Sequence, residues 1–248
     1  MSLEPSGASS AAHARRDVRG DVVVAHSSDL HLGSRWQGHD DLAALTSVLA
    51  ATREAGAHVL LLAGDIFDHN RVPLGMIDRA ARALADAALP VVVLPGNHDP
   101  ITPDSVYRRG GLADPPNVDV LGVTVDEHLL LPDLGMGIWG RAHADYVDMS
   151  PLASAAARKM PHEIVMAHGH WVSGAHDMHR SWLIHDHEVE ATAADYVALG
   201  HWDRAEHVGT GSVPAYYSGS PDLARSINLV RLRAGAPAEI TRHPVAFD

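Results

Sequence analysis

Three short runs of apolar residues organise the first hundred positions: Val22-Val23-Val24-Ala25, Val59-Leu60-Leu61-Leu62-Ala63 and Val91-Val92-Val93-Leu94. Continuous apolar runs of this length, bounded by turn residues, read as strands buried on both faces. The segments between them carry the helical period instead. Over residues 39–55, Leu42, Leu45, Leu49 and Thr52 recur at helical spacing, and Gly56 can end that helix. Over residues 74–88, Ile77, Ala81, Leu84 and Ala88 share one face, and Pro90 stops the run. The order β-α-β-α-β with apolar strands predicts a parallel sheet covered on both sides. From about residue 117 the pattern shortens. Val118–Val125, His128–Leu131 and Met136–Trp139 are separated by Gly, Pro and Asp, which predicts a meander of antiparallel strands. A helix over 151–159, a strand over Ile164–Ala167, an undefined stretch at 171–192 and a strand over Tyr196–Leu199 follow. Closing strands are expected near 214–218, 226–232 and 238–245. Residues 1–19 are small, polar and aperiodic, so a disordered leader is expected there, with residues 20–248 forming a single α/β domain.

Composition narrows the function classes. The 248 residues are 46% hydrophobic, enough for a full core, and none is cysteine, which removes disulfides and thiolate metal sites. No apolar run is long enough to span a membrane and no signal-peptide pattern opens the chain, so a cytoplasmic protein without membrane contact is expected. A net charge of −12 argues against a broad basic surface for nucleic acid, though not against a local strip. The 19 histidines stand out, because imidazole is the commonest metal ligand.

In parallel sheets the chemistry gathers beyond the carboxyl ends of the strands. Each predicted strand here empties into ligand-type residues. Val22–Ala25 leads to Asp29 and His31, and Val59–Ala63 to Gly64, Asp65 and Asp68. Val91–Leu94 leads to Gly96, Asn97, His98 and Asp99, Ile164–Ala167 to His168 and His170, and Tyr196–Leu199 to Gly200, His201 and Asp203. Taken singly, each group has an ordinary explanation as a turn, a helix cap or a strand-end histidine. Five independent turns at one end of one sheet would not all need oxygen and imidazole donors. Together they supply enough ligands for two divalent cations about 3.5–4 Å apart.

The series D-x-H, G-D-x-x-D, G-N-H-D, a strand-end His and G-H-x-x resembles the calcineurin-like metallophosphoesterase superfamily. The stretch "DYVALGHWDRAE…YYSGSPD" is closest in style to the SbcD/Mre11 DNA repair exonucleases. The resemblance implies a two-sheet α/β/β/α sandwich and a phosphoester substrate, such as nucleic-acid ends or nucleotides. It implies that Asp29 and His31 bind a first metal, that Asp65 bridges, and that Asn97, His168 and His201 bind the second. His98 would contact the phosphate and protonate the leaving oxygen, with Asp68 and Asp99 orienting the ligands and Asp99 setting the imidazole tautomer. A small-molecule phosphatase or cyclic-nucleotide phosphodiesterase is the rival reading, and a non-catalytic scaffold on the same fold a third.

The sequence departs from the family at three points. Asp203 stands where relatives carry a second histidine. It either ligates metal, favouring Mn²⁺ or Mg²⁺ over Zn²⁺, or pairs with Arg204; of the two cations expected, Mn²⁺ leads, with Mg²⁺, Fe or Zn²⁺ as alternatives. At the fourth motif His168 is expected as the ligand on strand position, with His170 in reserve. Finally, the chain ends at Asp248, before the capping and ATPase-docking regions of SbcD and Mre11, so an ATPase partner is not expected. Arg35, Arg71, Arg141 and Arg180 are candidate phosphate clamps, against the plainer reading as solvated surface residues.

Overall fold

The computed structural model describes residues 21–34, 42–155, 157–174 and 177–247. The elements in chain order begin with β1 (Val22–Ser27), α1 (Ala43–Glu54), β2 (Val59–Ala63), α2 (Leu74–Asp86), β3 (Val91–Leu94) and α3 (Val106–Arg109). Next come β4 (Val118–Val120), β5 (His128–Leu131), β6 (Met136–Gly140), β7 (His162–His168), β8 (His170–Trp171) and β9 (Leu183–Ile184). The chain closes with α4 (Asp186–Ala191), β10 (Tyr196–Gly200), β11 (Glu206–Val208), β12 (Ala215–Tyr217), α5 (Pro221–Ala224), β13 (Ser226–Leu232) and β14 (Glu239–Pro244).

Two six-stranded sheets carry the fold, in the orders β14-β13-β1-β2-β3-β4 and β11-β12-β10-β7-β6-β5. Strands β1 to β4 run parallel, as do β6, β7, β10 and β12, with antiparallel strands at the edges. The apolar runs are continuous because both faces of each central strand are covered. In β2, Leu60 and Leu62 pack toward Leu45, Val48, Ile77 and Leu84 of the helices, while Val59, Leu61 and Ala63 face the other sheet. In β7, Ile164 and Met166 meet that same inter-sheet core, while Val165 and Ala167 pack outward with Ile184 and Val189. The two-sheet sandwich expected from the sequence is the architecture found. The carboxyl ends of β2 and β7, one from each sheet, thus open at the same edge.

Three expectations are corrected. The antiparallel meander after residue 117 does not form: β4 extends the first sheet parallel to β3, β6 runs parallel to β7, and only β5–β6 is antiparallel. Short alternating runs specify which face is buried, not which neighbour pairs. The helix expected over 151–159 is absent among its described residues. Residues 151–154 form turns, and Ser154 takes φ 60°, because an Ala-rich segment without a buried stripe has nothing to hold a helix. The undefined stretch at 171–192 contains β9 and α4, and β9 pairs with β8. The expected leader and residues 39–41 lie outside the described residues. No helix among the described residues is long and apolar enough to cross a membrane.

Exposed Ala88, just past α2, adopts φ 55°. The left-handed conformation burdens any Cβ-bearing residue. Ala88→Gly is expected to stabilise the protein by about 0.5–1 kcal/mol, net of glycine's larger unfolded-state entropy, measured as a higher midpoint in urea with an unchanged slope.

Candidate metal centre

The loops after β1 and β2 are laced together by their backbones. The amides of Asp29, His31 and Leu32 donate to the carbonyls of Gly64, Asp65 and Ile66 at 3.0, 3.1 and 2.9 Å. Leu30, Leu32, Ile66 and Phe67 are fully buried between these positions and anchor the loops. Asp29, His31, Asp65 and His201 have φ of 55°, 46°, 53° and 107°. Positive φ is uncommon outside glycine, and Asp, Asn and His are among the residues that tolerate it best. Four such residues at one sheet edge mark backbone held against its preference, as functional sites often do. Gly96 lets the β3 loop approach: a Cβ there would be driven into the Asp65 carboxylate.

Asp65 lies at the centre of the cluster. Its Oδ1 accepts the His98 amide at 2.9 Å, and its Oδ2 lies 3.1 Å from His168 Nε2. Two groups of donor atoms share it: His31, Asp65 and His98 on one side, and Asp65, His168 and His201 on the other, each with its donor atoms within 4.8 Å of one another. Asn97 joins the second group, its Oδ1 lying 3.0 Å from His168 Nε2 and 3.1 Å from His201 Nδ1. A shared carboxylate, imidazoles and an amide oxygen form a donor set that fits divalent cations.

The electrostatics follow from burial. Asp29, Asp65 and His168 are buried, so each charge depends on its neighbours. Burial, reinforced by the Asp65 carboxylate and only partly offset by His168, pushes Asp29 up to about 6. Burial acts on Asp65 too, but the facing His168 outweighs it and holds the carboxyl well below the usual range. Burial opposes a charge on His168, yet Asp65 and Asp29 together push it up to about 9. Burial, then the His168 charge, pulls His201 down to about 3, so its ring is neutral near pH 7.

The expected ligands therefore converge, with exceptions. Asp29 uses its carboxylate to accept the His201 amide at 3.0 and 3.1 Å and stands outside both donor groups. His168 turns into the cluster, with its Nδ1 donating to the Ala63 carbonyl at 2.9 Å. His170 lies apart, bonded by Trp202 Nε1 at 3.1 Å. Asp203 is exposed and belongs to neither group, and Arg204 pairs with Glu206 at 3.5 Å rather than with it. Asp68 Oδ1 lies 3.4 Å from His31 Nδ1, and the Asp68 carbonyl accepts His98 Nδ1 at 2.8 Å. Asp99 does not set the His98 tautomer. Its buried oxygens accept the amides of Gly96 and Phe67 and the Tyr107 hydroxyl, so it braces the loops from beneath. Among the arginines, Arg141 pairs with Glu127 at 2.8 Å, Arg71 is exposed, Arg180 lines a cavity beside the cluster, and Arg35 lies outside the described residues.

Two residues near the cluster escaped the sequence reading. Buried His143 donates Nε2 to the His168 carbonyl at 2.8 Å, and the Trp182 ring lies 5.8 Å from that of His201. Both come from loops without a motif, and the alternation of β6 gives no hint that His143 folds back onto β7.

Residues 22–205 match the family model described as calcineurin-like phosphoesterase. Over 266 aligned residues the chain is 24% identical to the D subunit of nuclease SbcCD from Bacillus subtilis (strain 168), covering 87% of this chain and 67% of that protein. Over 84 residues it is 36% identical to the DNA double-strand break repair protein Mre11 of Aeropyrum pernix, covering 31% of this chain and 20% of that one. The crystal structure of TT1561 of Thermus thermophilus superposes with a TM-score of 0.60 at 15% identity, covering 90% of this chain and 99% of its own. A second crystal structure gives 0.58 at 12%, covering 90% and 98%. These two likenesses speak to fold alone. The sequence match, the two-sheet fold and the shared Asp65 agree, and the chain belongs to the calcineurin-like phosphoesterases, hydrolases of phosphoester bonds that use divalent metals.

Proposed function

We propose that this phosphoesterase is a binuclear phosphodiesterase acting on nucleic-acid ends or nucleotides. The observation that carries the reading is the pair of donor groups sharing Asp65. His31 and Asp65 would hold one cation, with Asp29 able to join them only by releasing the His201 amide, and Asp65, Asn97, His168 and His201 would hold the other. Two divalent cations supply charge neutralisation for an anionic phosphate and a water acidic enough to ionise near neutral pH. Mn²⁺ is the cation proposed, because the donors are carboxylate, amide and imidazole with no thiolate. The similarity to the SbcCD nuclease and to Mre11 supports a nucleic-acid substrate.

The chain's own residues do the rest. His98 has 45% of its side chain exposed, so a substrate can reach it. Its Nδ1 donates to the Asp68 carbonyl, which fixes the hydrogen on that nitrogen and leaves Nε2 to handle the proton of the leaving oxygen. The Asp68 carbonyl and the hydrogen bond from the His98 amide to Asp65 hold that ring in place beside His31. Asp99 and Tyr107 keep the β3 loop rigid beneath it.

With Mn²⁺ added, bis-p-nitrophenyl phosphate should be hydrolysed in preference to p-nitrophenyl phosphate, and His98→Ala should lower kcat on the diester by about 10²- to 10⁴-fold. Activity mainly on the monoester would indicate a phosphatase, and no activity on either would indicate a scaffold. The electrostatics add a second expectation. His168 carries a proton at pH 7, because Asp65 and Asp29 push it up to about 9, and it must lose that proton to ligate. Mn²⁺ affinity should therefore rise by about tenfold per pH unit between about pH 6.5 and 8.5, read by calorimetric titration. A pH-independent affinity would mean that His168 is not a ligand.

A further inference from the structure

Beside the Asp65 cluster lies a cavity of about 490 Å³, whose wall includes His201 of the cluster together with His170, Asp177, Arg180, Trp202 and Arg204. Trp202 directly follows His201, so its ring is tied to the backbone of a candidate ligand. The indole stacks on Tyr217 with centroids 4.4 Å apart and planes 8° from parallel. Tyr217 is fully buried, and its hydroxyl donates to the Gly169 carbonyl at 2.7 Å and accepts the Trp171 amide at 2.8 Å. At the other edge, Trp202 Nε1 donates to His170 Nδ1, while His170 Nε2 faces Asp177 Oδ1 at 3.5 Å. Both ring nitrogens of His170 are thus engaged in fixing the indole.

The outcome is a rigid aromatic plane, backed on one face. The Arg204 guanidinium lies over the same ring, 4.9 Å from its centroid. Its side chain is 72% exposed and, among the described residues, is paired with Glu206. Such a cover can lift and close again over a flat guest, since guanidinium stacks well on π-systems. The formal charges of the cavity balance: Arg180 and Arg204 against Asp177 and Asp203. A second phosphate gains little from a balanced wall. A neutral, flat group with hydrogen-bonding edges fits it better.

We propose that this cavity seats a nucleobase of the substrate, stacked between Trp202 and Arg204 beside the phosphate under attack. The proposal rests on the phosphodiesterase reading above and names the substrate class of that site. Base–aromatic stacking tolerates any base, so the subsite confers preference for nucleotides over plain esters without selecting a sequence.

The test compares thymidine 5′-(4-nitrophenyl phosphate) with methyl 4-nitrophenyl phosphate, using the full chain with Mn²⁺. Both release nitrophenolate and differ in the nucleoside. The wild-type protein should prefer the nucleoside ester, Trp202→Ala should reduce the ratio of the two kcat/KM values by about tenfold, and Trp202→Phe should restore most of it. No wild-type preference, or a ratio unmoved by Trp202→Ala, overturns the proposal. Calorimetric binding of thymidine 5′-monophosphate to the same variants reads the subsite without turnover. Weakening by about tenfold in Trp202→Ala supports it, and equal affinity overturns it. If the wild-type protein hydrolyses neither ester, the phosphodiesterase reading has failed, and the binding measurement alone decides the base subsite.

Discussion

The rest of this structure depends on one carboxylate. Asp65 is buried at the end of β2, and its two oxygens serve different partners: the His98 amide on one side and the His168 ring on the other. A buried carboxylate is costly unless it is paired, and one that must also stand near Asp29 is costlier still. The protein answers by bringing cationic and donor groups from both sheets to the same point. This is why the carboxyl ends of β2, β3, β7 and β10 meet there, and why the loops after β1 and β2 share backbone hydrogen bonds. A sandwich with its sheets displaced would separate these donors and leave a buried charge uncompensated.

The same constraint explains the strained backbone. Asp29, His31, Asp65 and His201 hold positive φ because a relaxed loop would send their side chains elsewhere. Each such conformation costs on the order of 1–3 kcal/mol. The rigid surroundings sustain it: the apolar anchors Leu30, Leu32, Ile66 and Phe67 lie in the core, and Asp99 fastens the amides of Gly96 and Phe67. The site is braced where it would hold cations and open to solvent at His98 and along the Trp202 wall.

Much of this was legible in the residues. Apolar runs predicted β2 and β3 to the residue, because strands buried on both faces leave no ambiguity of period, and the expected spans of β5 and β13 also match although β5 is only partly buried. The donors after each strand were equally visible, since Asp, Asn and His at strand ends are the residues that tolerate the turns the site imposes. Pairing partners were not: Val118–Val120 alternates like an edge strand of either sheet, and nothing local says that it joins β3. The Ala-rich stretch after Pro151 has helix propensity but no stripe to bury. Asp99 read as a partner of its neighbour His98, yet the chain turns it inward toward Tyr107, a contact set by packing. Asp203 could not be placed from its motif position, because its side chain faces outward after the sharp turn at His201. His143 and Trp182 reach the site from loops whose course only the assembled sheets determine.

Anomalous scattering from crystals of the protein grown with Mn²⁺ tests the central claim most directly. Two peaks are expected about 3.5–4 Å apart on either side of the Asp65 carboxylate, one toward His31 and one among Asn97, His168 and His201. A single peak that leaves Asp65 unshared, or manganese bound away from this edge of the sheets, would contradict it.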